Sequence, residues 1–154
     1  LFSTTGRMQM GPLADGIIIT DSFSPAFHFP GLKEVMTEYQ ERAKKAGTDP
    51  LGYGYVPFAY GALQVLGQAV TATGGFDQKK IADYIHTHTF NTVAGDIAFG
   101  PDGEWTKSNM VAEQFQNIAG HGAQQFMDPK KVVVVWPEKY KTGNLQYPYD
   151  ASKH

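Results

Sequence analysis

Hydrophobic and polar positions along this chain change their period from region to region. Leu32, Val35, Met36, Tyr39 and Ala43 recur at helical spacing, with Lys33, Glu34, Glu38, Glu41, Arg42 and Lys45 on the other face. This predicts an amphipathic surface helix, suited by Pro30 at its first turn and closed by Gly47. A second helix is predicted from Pro57 to about Thr73, with Ala59, Ala62, Leu63, Leu66, Ala69, Val70 and Thr73 as its stripe. Gln64 and Gln68 are its most polar side chains, and a helix so poor in charge is expected to be covered on most sides. Gly74-Gly75 ends it. Asp77 then caps a third helix, with Ile81, Tyr84, Ile85 and His88 on one face.

The remaining segments read as strands. Asp15–Thr20 is a short, continuously apolar, β-branched run, as in a buried strand of a parallel sheet. Thr92–Phe99 reads as a strand, Pro101–Glu104 as a turn, and Met110–Ile118 and Lys131–Trp136 as two further strands. Gly120-His121-Gly122 is a connector, and the aperiodic tail from Glu138 to His154 is expected to wrap over a surface. One apolar strand cannot make an α/β core by itself, because a sheet needs neighbours. The Asp15–Thr20 strand and the charge-poor helix therefore read as pieces of something larger.

Composition narrows the function classes. The chain has 154 residues and a formal charge of −2, from 13 Lys+Arg against 15 Asp+Glu. That balance excludes the usual basic nucleic-acid footprint and a polybasic membrane-surface protein. No apolar run approaches the roughly 20 residues of a spanning helix. Cysteine is absent, which excludes disulfide scaffolds, Cys-based zinc sites and thiol nucleophiles. Leu1-Phe2-Ser3-Thr4-Thr5-Gly6 is neither a signal peptide nor an ordinary domain start, so a processed or truncated chain is expected.

Candidate chemistry is sparse. His86 and His88 lie two residues apart, which on a helix turns their side chains about 200° from each other. Helix-terminal histidines favoured by the dipole account for them, and no metal site is expected. Asp96, Asp102 and Glu104 lack the spacing of a calcium loop and suit a β-turn. No phosphate-binding glycine loop or nucleophile signature occurs, so no catalytic residue and no cofactor are assigned. Two aromatic-polar segments are left, Phe2–Thr5 and Tyr53–Phe58. Rings and hydroxyls at the mouth of a helix suit either a small-molecule pocket or the packing of the helix start itself.

Several of these segments, in their order, carry a family resemblance. Tyr55–Leu63 followed by Leu66, Ala69 and Val70 resembles the Tyr-rich helix of the leucine/isoleucine/valine-binding type of periplasmic solute-binding proteins. Gly95–Glu104 is similar to the late strand-turn of that family, and Ala14–Thr20 to the strand leading into its second crossover. Lys131–Tyr149, with Trp136-Pro137 and Tyr147-Pro148-Tyr149, resembles its C-terminal tail.

The resemblance implies an α/β chain with a partial class I periplasmic-binding-protein fold, holding pieces of two three-layer lobes. Residues 1–26 would belong to the second lobe and a crossover, 27–114 to the first lobe, and 115–154 to a crossover, the second lobe and the tail. It implies a C-terminal portion of a clamshell that closes on ligand, with the N-terminal portion of the same protein as its missing complement. It also implies ABC permease subunits as membrane partners and a periplasmic, or extracellular lipid-anchored, location. The ligand would be a small amino acid or an aromatic or aliphatic carboxylate. Tyr53, Tyr55 and Phe58, with Ser3 and Thr4, would offer one wall for it. No Glu matches the family's amine-binding acid, which would fall near or before Leu1. A small α/β enzyme with an unrecognised site and a sensory ligand-binding domain of the same fold are the alternatives.

Overall fold

The computed structural model describes residues 3–52, 55–106 and 109–147. In chain order it forms α1 (Thr4–Met10), β1 (Ile18–Asp21), α2 (Leu32–Ala46), α3 (Tyr55–Thr73), α4 (Gln78–Thr87), β2 (Phe90–Thr92), β3 (Gly95–Ile97), β4 (Val111–Phe115) and β5 (Val132–Trp136). Short 3₁₀ turns occupy Gly11–Ala14, Ala123–Met127 and Glu138–Tyr140. The chain divides into two compact units. One comprises Leu1–Phe27, Tyr39–Tyr53 and Met110–His154, the other His28–Glu38 and Gly54–Asn109.

The first unit is built on a three-stranded sheet in the order β1-β4-β5, antiparallel throughout. This corrects the expectation of a parallel strand whose partners lie elsewhere. β1 pairs within the chain, Ile18 opposite Gln114 and Asp21 opposite Val111. The apolar run concealed an edge strand: Ile19 is buried while Ile18 is exposed. Ile19, Val111, Glu113, Phe115, Val132 and Val134 share the inward face by strand alternation, and all are buried. The Phe115 and Phe126 rings meet edge to face at 5.4 Å. Burying each such side chain contributes roughly 1.5–3 kcal/mol.

The tail lies along part of the other face of this sheet. Gln114 accepts from the backbone N–H of Gln146 at 2.8 Å and donates to its carbonyl at 3.2 Å. Gln116 donates to the Asn144 carbonyl at 2.9 Å and to the Gln114 side-chain oxygen at 2.9 Å. Upstream, α1 was not foreseen in the sequence. Ser3 caps it by accepting from the Gly6 N–H at 3.0 Å. The second half of α2 ends as expected at Gly47, whose φ of +66° permits the Thr48 N–H to reach the Ala43 carbonyl at 3.1 Å.

The second unit packs α3 and α4 with the β2–β3 hairpin. Val65, Ala69, Ile81, Phe90, Ala94 and Ile97 form its core, with Phe58, Val70, Tyr84, Ile85, Phe99 and Trp105 against it. The predicted strand over Thr92–Phe99 is in fact a hairpin that starts at Phe90 and turns at Val93-Ala94. Thr92 reverses the chain there by accepting from the Ala94 N–H and donating to the Gly95 carbonyl. The stripe of α3 is also rephased. Pro57, Gly61, Val65 and Ala69 are buried, whereas Leu63 and Leu66 are 69% and 47% exposed. The helix therefore presents an open apolar face and is not covered on most sides. Gln64 and Gln68 explain the phase: they hold the hairpin, Gln64 accepting from the Val93 N–H at 2.8 Å and Gln68 donating to the Asn91 carbonyl at 3.0 Å. The Asp77 cap on the Lys80 N–H and the turn closed by Gly103 N–H to the Gly100 carbonyl form as expected.

Candidate functional site

Four of the five residues proposed to line a ligand wall are among the described residues, two in each unit. Tyr53 lies outside the described residues. Tyr55 opens α3 and is 86% exposed. Phe58, nearly one turn later, is half-buried and packs edge to face on Trp105 at 5.9 Å. Tyr55 and Phe58 belong to the second unit. Ser3 and Thr4 begin α1 in the first unit, where Ser3 caps the helix and Thr4 is buried. The Thr4 hydroxyl donates to Asp49 Oδ1 at 2.6 Å.

That bond leads into a polar cluster absent from the sequence reading. Asp49 also accepts from the Leu51 and Gly52 N–H groups at 2.9 and 3.4 Å, and its carbonyl accepts from the Tyr39 hydroxyl at 2.7 Å. Partial burial pushes the Asp49 carboxyl up, but Thr4, the two N–H donors and the charge of Arg7 outweigh it and hold the group below the usual carboxylate range. Arg7 is 2% exposed. Its Nη2 lies 3.9 Å from Asp21 Oδ2, and its guanidinium stacks over Phe115 at 5.3 Å. Asp21 additionally accepts from the Ser22 and Phe23 N–H groups at 2.7 and 3.2 Å.

Glu113 completes the cluster on β4, on the inward face that Asp21 shares. It is 1% exposed, and its Oε1 has no hydrogen-bond partner. Burial pushes its carboxyl up to about 7; the Ser24 hydroxyl opposes this, Asp21 adds to it and Arg7 opposes it. One signal for this cluster existed in the sequence. Glu113 and Gln114 are adjacent, so a strand that places one inward must place the other outward, and a central strand covers both.

The histidines take structural positions. His88 stacks on Tyr84 at 3.7 Å, and His86 lies 3.4 Å from the Gly100 carbonyl. Among the described residues no group of three His, Asp or Glu is arranged to hold a metal ion, and no helix is long and apolar enough to cross a membrane. A shallow depression on α3, lined by Gln64, Gly67, Gln68, Thr71 and Ala72, includes none of the candidate ligand residues.

No protein-family model matches the chain, and no curated protein matches it. Solved structures do. A leucine-binding protein, LivK, of Thermotoga maritima aligns with a TM-score of 0.50 and 28% identity, over 68% of this chain and 29% of its own. A leucine-, isoleucine-, valine-, threonine- and alanine-binding protein of Brucella ovis, in its closed conformation, aligns with a TM-score of 0.51 and 19% identity. That alignment covers 92% of this chain and 36% of the Brucella protein. The chain therefore spans about a third of the length of these proteins, at 29% and 36%. Its fold is a portion of the class I periplasmic-binding-protein fold, as its sequence motifs imply.

Proposed function

We propose that this chain is part of the solute-binding component of an ABC importer. Such a component captures a small amino acid or related carboxylate between two lobes and delivers it to permease subunits in the membrane. The observation that carries the reading is the likeness, at 28% identity, to a protein named for binding leucine. The neighbours' names describe binding and not catalysis, which supports a non-enzymatic role. The same reading places the protein in the periplasm, or outside the cell on a lipid anchor, with an N-terminal portion completing the fold.

In this reading Tyr55 is the residue best disposed to touch ligand, since its ring is exposed at the start of α3. Phe58 stiffens that start through Trp105. Calorimetric titration of the full-length protein with Leu, Ile, Val and benzoate-type acids tests the proposal. Micromolar binding of one of them is expected, weakened about tenfold by Tyr55→Ala, the size of an effect near 1.4 kcal/mol. The 154-residue chain alone is expected to bind none of them usefully. Absence of binding by the full-length protein to every ligand in the panel overturns the proposal.

A further inference from the structure

The Arg7 guanidinium pairs with Asp21 at 3.9 Å, and its charge is also felt by the carboxyl groups of Asp49 and Glu113. If Asp21 and Glu113 were both ionised, the buried part of the cluster would hold one uncompensated negative charge beside Arg7, which is costly in a low-dielectric interior. The three are not held alike. Asp49 receives one hydroxyl and two N–H donors and is the most exposed of them. Asp21 receives two N–H donors and the arginine. Glu113 has the Ser24 hydroxyl and one oxygen with no hydrogen-bond partner among the described residues. Opposite it on β5 stands Val134, which brings no charge. A buried oxygen without a donor is far less costly on a neutral acid than on a carboxylate.

We propose that Glu113 is a proton-holding site whose neutral form leaves Arg7 with Asp21 and so keeps α1 seated on the sheet of its unit. Ionised Glu113 competes with Asp21 for the guanidinium and draws water to its unpartnered oxygen, loosening α1. The groups facing Glu113 are Arg7 from α1, Asp21 from β1 and Ser24 from the segment after β1. None of them supplies a second positive charge. The inference concerns the first unit alone and does not depend on which ligand the protein takes.

The direction of the pH effect follows from linkage. The folded chain keeps the proton where the unfolded chain has already released it. The Glu113 contribution to stability is therefore fully present below the ordinary glutamate range and falls as pH rises toward neutrality. Thermal and urea unfolding of the chain and of Glu113→Gln, compared from pH 5 to 8, test this. The glutamine mimics the neutral acid, and the chain's five histidines act equally in both proteins. The folded-to-unfolded ratio of the wild type is expected to fall by roughly 100-fold relative to the variant across that range. Amide protection within α1, corrected for the intrinsic pH dependence of exchange, is expected to fall over the same range in the wild type only. A wild-type-to-variant ratio that stays constant with pH overturns the proposal. Carbon-13 NMR titration of the Glu113 carboxyl in the wild type gives a reading even if the variant fails to fold. A midpoint near neutrality supports the site, and one in the ordinary glutamate range overturns it.

Discussion

The unit built on β1, β4 and β5 buries Arg7, Glu113, Gln114 and Gln116 around its sheet, whereas the unit built on α3, α4 and the hairpin closes on a continuous apolar core. In the first, stability depends on polar groups that must find partners, and one oxygen of Glu113 finds none. In the second, Gln64 and Gln68 of α3 reach hairpin backbone, while Thr71 and Thr73 turn back on carbonyls of the helix and its end. The contrast teaches that size of core and sensitivity to conditions are separate properties. Both units fill their interiors with aromatic and branched side chains, and the first combines that with Glu113, an ionisable group whose charge state is set by burial.

Substitutions separate the two. The largest effect is expected from emptying either core. Phe115→Ala and Phe90→Ala should each cost about 3–5 kcal/mol, since both rings are essentially buried. If the units unfold independently, Phe115→Ala should lower one thermal transition and Phe90→Ala another. A single transition lowered equally by both would show one cooperative body. A smaller effect is expected from Asp77→Ala, which leaves the first turn of α4 without its cap. About 1 kcal/mol should be lost from the second unit in urea unfolding, with nothing lost from the first. The smallest is expected on the open side of α3. Leu63→Gln should change stability by no more than about 0.5 kcal/mol, because the side chain is 69% exposed. A loss of several kcal/mol there would mean that the side chain is buried in solution.

Elements with their own local signals were legible in the sequence. Gly47 ends α2, Asp77 starts α4, and the Pro101–Glu104 turn closes where its residues predict. Each rests on a backbone requirement that a single residue type meets. The phase of α3 was not legible, because nearly every position is small or apolar and several phases satisfy the same spacing. What selects the phase is tertiary: Gly61 allows close approach to Thr92, whose Oγ1 would stand 3.3 Å from an added methyl. β1 was legible as a strand but not as an edge, since a run of isoleucines does not state which neighbour it will find. α1 was hidden because its seven residues carry no apolar period. Its anchors, Arg7 and Thr4, act through partners far along the chain, Asp21 and Asp49. The aromatic pair at the start of α3, Tyr55 and Phe58, stands out in the sequence as a segment, and its ligand role rests on the family resemblance. The carboxyl cluster around Arg7 needed four separate segments to be brought together.

The tail offers a last consequence. Gln114 and Gln116 grip it by main-chain atoms, at Asn144 and Gln146, and not by its side chains. Leu145 and Tyr147 stay largely exposed, at 48% and 86%. The clasp holds the cord and ignores the beads. Evolution is thus free to rewrite the outward letters of this segment without untying it, so long as the two amides beneath are kept.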